Sequence, residues 1–176
     1  KFNFYRRGAS EYPPAFIDEK DDVNERYGVF QILNLFTDKN SGLLGGERLI
    51  KRWNPNREEP VVYYFAEGFP EKFKDIFTDE TEGVAAQTNA ILKTAGSSMR
   101  IEFREHDYSE NGEVIDRKVG DIRYSFVTWF QNLSGNGGLL GYGPSTSDPR
   151  TGEVFSANVN AYNYSYDLFR FLSEVY

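Results

Sequence analysis

Apolar residues recur along this chain with two periods, and clusters of turn residues mark where one period gives way to the other. Tyr27-Gly28-Val29-Phe30-Gln31-Ile32-Leu33-Asn34-Leu35-Phe36 is rich in β-branched and aromatic residues. A turn-forming stretch from Thr37 to Gly46 joins it to Glu47–Trp53, so the pair predicts a hairpin. After Pro60, the run Val61-Val62-Tyr63-Tyr64-Phe65 is apolar or aromatic at every position, the pattern of a strand covered on both faces, and it predicts the first strand of the main sheet. Gly68-Phe69-Pro70-Glu71 signals a helix start, with Pro tolerated in the first turn because the N–H it lacks has no partner there. Phe73, Phe77, Val84, Thr88, Ile91 and Ala95 then recur at helical steps. They predict one stripe of a helix, or of two helices end to end with a break between Thr78 and Gly83, closed by a left-handed residue at Gly96.

Downstream the period shortens to that of strands. Ile101 and Phe103 alternate with Glu102 and Arg104, and Ile122, Tyr124, Phe126, Thr128 and Phe130 alternate across a second run. Between them lies an acidic loop with Asn111-Gly112 as its tight turn. Leu139 to Ser145 reads as an edge strand, because it holds Gly141, Gly143 and Pro144. Asp148-Pro149-Arg150-Thr151-Gly152 is a turn, and Phe155, Ala157, Val159 and Ala161 predict one last strand. Ser165 is placed to cap a helix carrying Leu168, Phe171, Leu172 and Val175. The sum is an α+β fold: a twisted mixed β-sheet backed by the long Pro70–Gly96 helix, with a C-terminal helix. Residues 1–59 form an N-terminal arm and hairpin packing on a main domain of residues 60–176.

Composition narrows the chemistry. With 176 residues and 39% hydrophobic content the chain can build a real core, and a net charge of −7 argues against nucleic acid as a partner. No run of 18 apolar residues predicts a membrane-spanning segment. Zero Cys and one His leave no disulfide, no thiolate nucleophile and no metal site that needs two imidazoles. The start at Lys1-Phe2-Asn3-Phe4 reads as a processed segment, and the acidic run Asp18–Glu25 lacks the ligand order of a calcium loop and reads as a solvated arm. His106 is conceivable as a general base but sits among acids as surface histidines do, and no Gly-x-Ser-x-Gly turn offers a serine nucleophile. Gly141-x-Gly143 does not continue into a dinucleotide fingerprint. Asp148 and Glu153 are the one candidate carboxylate pair, and Trp129, Tyr142, Tyr162, Tyr164 and Tyr166 the candidate stacking platform. The edge strand is the sharper feature, since unpaired backbone groups beside glycines can receive an extended peptide.

Several segments stand in a shared order: Arg52-Trp53-Asn54-Pro55, Pro60–Phe65, Phe69-Pro70, a helix ending Asn89-Ala90-Ile91-Leu92-Lys93-Thr94-Ala95-Gly96, and Asp121-Ile122-Arg123-Tyr124. Gly143-Pro144-Ser145 and Asp148-Pro149-Arg150-Thr151-Gly152-Glu153-Val154 follow, then Ala157-Asn158-Val159. Together, over about Tyr27 to Tyr176, they resemble the upstream part of the catalytic domain of large bacterial zinc-dependent metalloproteases of the metzincin-like kind. Thr88 departs from the pattern, standing before Asn89 where relatives often carry Trp.

The resemblance implies a substrate-binding edge strand, here Leu140, Gly141, Tyr142, Gly143 and Ser145, docking a peptide or protein substrate. It implies no catalytic residue, metal ligand or cofactor in this segment, because the family's zinc ligands come from a later His-Glu-x-x-His helix and a third His. Zinc is then implied for a parent protein whose remainder is a partner of this portion. The implied location is the bacterial cell envelope, as a periplasmic protein or surface lipoprotein, or secretion. The alternative is a stand-alone secreted binding module, cystatin-like in its helix-then-strands order, that takes peptide or glycan through its tyrosines.

Overall fold

The computed structural model describes residues 11–17, 28–131 and 141–175. The acidic run Asp18–Glu25, the Gly135–Gly138 stretch, Leu139 and Leu140 lie outside the described residues. Strands β1 (Gln31–Thr37) and β2 (Leu44–Ile50) form an antiparallel hairpin, in register from Gln31 opposite Ile50 to Thr37 opposite Leu44. Its turn is tighter than composition predicts. The Asp38 Oδ1 accepts the N–H groups of Asn40 and Ser41 at 3.0 and 2.7 Å and closes it early. β2 tolerates Gly45 and Gly46 because Phe36 lies across the first, and Leu33 and Leu35 across the second. Leu49 at the base is buried, bridged by Phe16, and Lys51 then separates the hairpin from β3 (Arg52–Trp53).

The main sheet holds β4 (Val61–Phe65), β5 (Ile101–Arg104), β8 (Ser125–Phe130), β9 (Gly141–Tyr142) and β12 (Val159–Tyr162), side by side in the order β5-β4-β8-β12-β9. All neighbours run parallel except β9, which is antiparallel to β12. Side chains alternate between faces, so β4 supports two aromatic layers. On the helix side Phe65 meets Phe69 at 4.9 Å between ring centroids, Phe77 meets Phe103 at 5.0 Å and Phe73 meets Trp129 at 4.9 Å. On the other side Tyr64 meets Tyr124 and Phe126 at 6.0 and 6.1 Å. There a second sheet, β10 (Ser145–Ser147), β11 (Glu153–Ala157) and β3 in the order β10-β11-β3, brings Trp53 and Phe155 against Val62 and Tyr64 around a cavity of about 180 Å³. Phe126, Val61 and Val127, all fully buried, sit between these layers, and burial of each contributes about 1.5–3 kcal/mol.

The backing helix is broken, as Thr78–Gly83 predicts, into a 3-10 turn (Glu71–Phe73), α1 (Asp75–Thr78) and α2 (Val84–Thr94). Asp79 makes the break by accepting the N–H groups of Thr81 and Glu82 at 2.8 and 2.7 Å. The break also resets the helical phase, which corrects the single-stripe expectation. Phe73 and Phe77 face the sheet, but Val84 and Ile91 are 39% and 68% exposed, while Thr88, Asn89 and Leu92 are half-buried. Gly96, at φ 74°, follows the helix end as expected.

Three further boundaries differ from the sequence expectation. Phe155 to Ala161 is two strands in two sheets, because Asn158 interrupts the ladder: its N–H donates to the Pro144 carbonyl at 2.8 Å and its Oδ1 accepts the Phe126 N–H at 2.9 Å. The strand expected from Ile122 begins at Ser125, since Arg123 folds back on Asp121 and the Tyr124 N–H donates to the Asp121 carbonyl at 3.1 Å. The C-terminal helix α3 (Asn163–Val175) starts before Ser165, which lies in its first turn. Inside the acidic loop, β6 (Asp107–Tyr108) and β7 (Val114–Ile115) pair as a short hairpin around Gly112, at φ 79°.

Candidate functional site

The two edges of the main sheet are built differently, and the sequence reading located only one of them. At one edge, β9 contributes Gly141 and Tyr142, opposite Ala161 and Asn160 of β12. A Cβ on Gly141 would lie 3.0 Å from the Asn160 carbonyl oxygen, so glycine lets β9 sit close against its neighbour. Gly141, Tyr142 and Gly143 are all exposed, and the Tyr142 ring stands 59% exposed beyond them. Successive residues of a strand turn their N–H and C=O groups to opposite sides, so pairing with β12 leaves one row facing outward. Among the described residues no strand pairs with that outer row.

At the opposite edge the outward groups of Ile101 are occupied. The Val61 N–H donates to the Arg100 carbonyl at 2.8 Å, which turns the backbone groups of Ile101 away from β4. Asn89 of α2 takes both of them: its Nδ2 donates to the Ile101 carbonyl at 2.9 Å and its Oδ1 accepts the Ile101 N–H at 2.8 Å. One amide side chain thus stands in for one residue of a neighbouring strand. A polar residue on the half-buried side of a helix is the signal that could have found it.

The residues of the expected substrate strand separate into two groups. Gly141, Tyr142 and Gly143 lie together on the rim, while Leu140 is outside the described residues. Ser145 belongs to the second sheet, where it pairs with Ala157 and its carbonyl accepts the Lys51 Nζ at 3.2 Å. The chain changes sheets at Gly143-Pro144, where proline cannot donate to a ladder.

The other candidates are dispersed. Tyr162 stacks on Phe130 at 5.4 Å, Tyr166 and Trp129 both contact Phe73, and Tyr142 stands apart on β9. Asp148 is buried inside its own turn, accepting the Arg150 N–H at 2.9 Å and pairing with its guanidinium at 2.9 Å. Glu153 lies buried on β11, where its charge acts on Arg57. Both carboxylates therefore have structural partners.

His106 lines a cleft of about 540 Å³ outside the carboxyl ends of β4 and β5, with Phe69, Lys74, Glu105, Arg117 and Lys118. Several of the cleft's charges are paired: the Lys74 Nζ lies 2.6 Å from Glu71 and 2.8 Å from Glu105, and Lys118 lies 3.1 Å from Asp116. The Lys74 hydrogen bond holds the Glu105 carboxyl below its ordinary value. Behind the cleft, Asp107 accepts from the Tyr64 hydroxyl, from Arg117 at 2.8 Å and from Arg104 at 3.0 Å. Desolvation pushes the Asp107 carboxyl up, but these donors together hold it down to about 2. The Arg117 guanidinium also lies 4.1 Å from the Tyr124 ring centroid, which ties the β6–β7 hairpin to the sheet.

No family model, curated protein or solved structure matches the chain. The single imidazole is on the surface, and among the described residues no three His, Cys, Asp or Glu side chains converge. What the arrangement offers chemically is backbone hydrogen bonding at the β9 rim.

Proposed function

We propose that the β9 rim binds an extended peptide by strand addition, and that this chain is the substrate-strand-bearing portion of a bacterial zinc metallopeptidase whose catalytic residues lie in another segment. One observation carries the peptide-binding reading. The two edges of the sheet differ, with Asn89 taking both outward backbone groups of Ile101 on β5 and only glycines and an exposed tyrosine flanking the outer row of β9. Added strands gain main-chain hydrogen bonds worth on the order of 1 kcal/mol each, and side-chain pockets then give selectivity. The metzincin-like resemblance likewise implies a substrate strand at a sheet edge, and β9 stands at one.

The metallopeptidase part is tested by the reading frame beyond Tyr176. A His-Glu-x-x-His segment there supports it, and a stop codon contradicts it and favours a stand-alone peptide-binding module. In a proteolytically active parent, Gly143→Val, whose Cβ has an ordinary 3.7 Å contact with the Asn158 carbonyl oxygen, should raise KM and leave kcat and thermal stability close to those of the parent. An unchanged KM in this variant would remove the β9 rim from substrate binding.

A further inference from the structure

The β6–β7 hairpin carries a reactive dipeptide in its turn. The Gly112 N–H donates to the Ser109 carbonyl at 2.9 Å, and the Ser109 N–H to the Glu113 carbonyl at 2.8 Å. Asn111 and Gly112 are both exposed, and only two residue pairs, Tyr108 with Val114 and Asp107 with Ile115, hold the ladder below the turn. We propose that Asn111 deamidates spontaneously in the folded protein and that its products loosen this hairpin.

The Gly112 backbone nitrogen attacks the Asn111 side-chain carbonyl carbon. A nitrogen–carbon bond forms, the bond to the side-chain nitrogen breaks, ammonia leaves with the displaced amide proton, and a five-membered succinimide remains. Water then adds across either imide carbonyl, giving aspartate or isoaspartate. Glycine has no Cβ to shield its nitrogen, so an Asn-Gly pair is the least hindered form of this reaction. In the closed turn that nitrogen is held by Ser109, and attack requires the turn to open. The turn lies at the exposed end of this short ladder, away from the Asp107 and Arg117 contacts at its base, so the turn opens at small cost and the native state gives it little protection.

Either product places a new negative charge between Glu110 and Glu113, and isoaspartate also adds a methylene to the backbone of the turn. The segment leaving β7 supplies Asp116, Arg117 and Lys118 to the wall of the large cleft, so the change loosens that wall.

Trypsin isolates Asn111 as the sole asparagine of the peptide Glu105–Arg117, apart from the Asn136-Gly137 pair, which lies outside the described residues. After incubation of the intact protein in mildly alkaline buffer, that peptide should split into an asparagine form and two acidic isomers. Its conversion should outrun that of Asn40 and Asn56, which precede Ser41 and Arg57. The Ser109 and Gly112 amides should exchange faster in the converted fraction. Asn111→Gln, whose longer side chain closes a ring slowly, should keep the peptide free of acidic isomers. The proposal is overturned if Asn111 survives in the native protein while it converts in the urea-unfolded chain. It is equally overturned if aspartate forms without isoaspartate, or if exchange at Ser109 and Gly112 is unchanged after conversion.

Discussion

The Oδ1 of Asn158 accepts the backbone N–H of Phe126 at 2.9 Å, and that bond fixes where the chain passes from one sheet to the other. Phe126 is almost fully buried, so its N–H has no solvent alternative. Asn158→Ala should therefore destabilise the fold by about 1–3 kcal/mol, the cost of an unpaired buried donor. Urea denaturation reads this directly, and a variant as stable as the parent would show that another acceptor serves Phe126.

Two glycines with similar backbone angles should respond differently to the same change. Gly152 has φ 77°, and a Cβ there would lie 2.4 Å from the Ile50 carbonyl oxygen. Gly96 has φ 74° with open space around it. Gly96→Ala should cost about 1–2 kcal/mol through left-handed strain alone. Gly152→Ala carries that strain plus roughly 1–3 kcal/mol of overpacking. Equal losses of thermal stability in the two variants would contradict the close approach of Gly152 to Ile50.

Asp107 should make stability depend on pH in acid. Its carboxyl is held down to about 2, below the 3.8 of an unperturbed group. A carboxylate with a depressed folded-state pKa contributes stability that is fully present above its unfolded pKa and lost as pH falls toward the folded one. Stability should therefore decline between about pH 4 and pH 2. Asp107→Asn should flatten that part of the profile; an unchanged slope would place the acid sensitivity elsewhere.

Asn89 should matter more than a half-buried helix residue of ordinary kind. Asn89→Ala leaves both backbone groups of Ile101 without their present partner, and the expected cost is about 1–3 kcal/mol. Faster exchange should follow at the Ile101 amide, with the Phe103 amide as comparison. An unaltered Ile101 amide would mean that Asn89 does not guard the β5 edge.

The sequence made the first strand of the main sheet legible because Val61–Phe65 is apolar or aromatic throughout, and it made the positive φ of Gly96, Gly112 and Gly152 legible from the turn chemistry around them. It did not show the sheet change at Asn158, because Phe155 to Ala161 alternates without interruption and only a distant backbone N–H reveals the break. The inward side of α2 was hidden for a related reason. The Asp79 turn shifts the helical phase, and periodicity read across it puts Ile91 inside and leaves Asn89 unnoticed. The glycines of the β9 rim could be read in advance, but the transfer of Ser145 to the second sheet depends on pairing with Ala157, which no local pattern encodes.

Peptide addition at β9 is tested most directly by amide hydrogen exchange at Gly141, Tyr142 and Gly143, with and without a saturating blocked peptide of alternating valine and threonine. The probe is uncharged and extended, so backbone pairing dominates its binding. Protection should appear in this segment and be lost in Gly143→Val, while the Phe103 amide on β5 exchanges at its original rate. Unprotected amides at residues 141–143, or protection confined to β5 or the His106 cleft, would contradict the assignment of β9 as the peptide-binding edge.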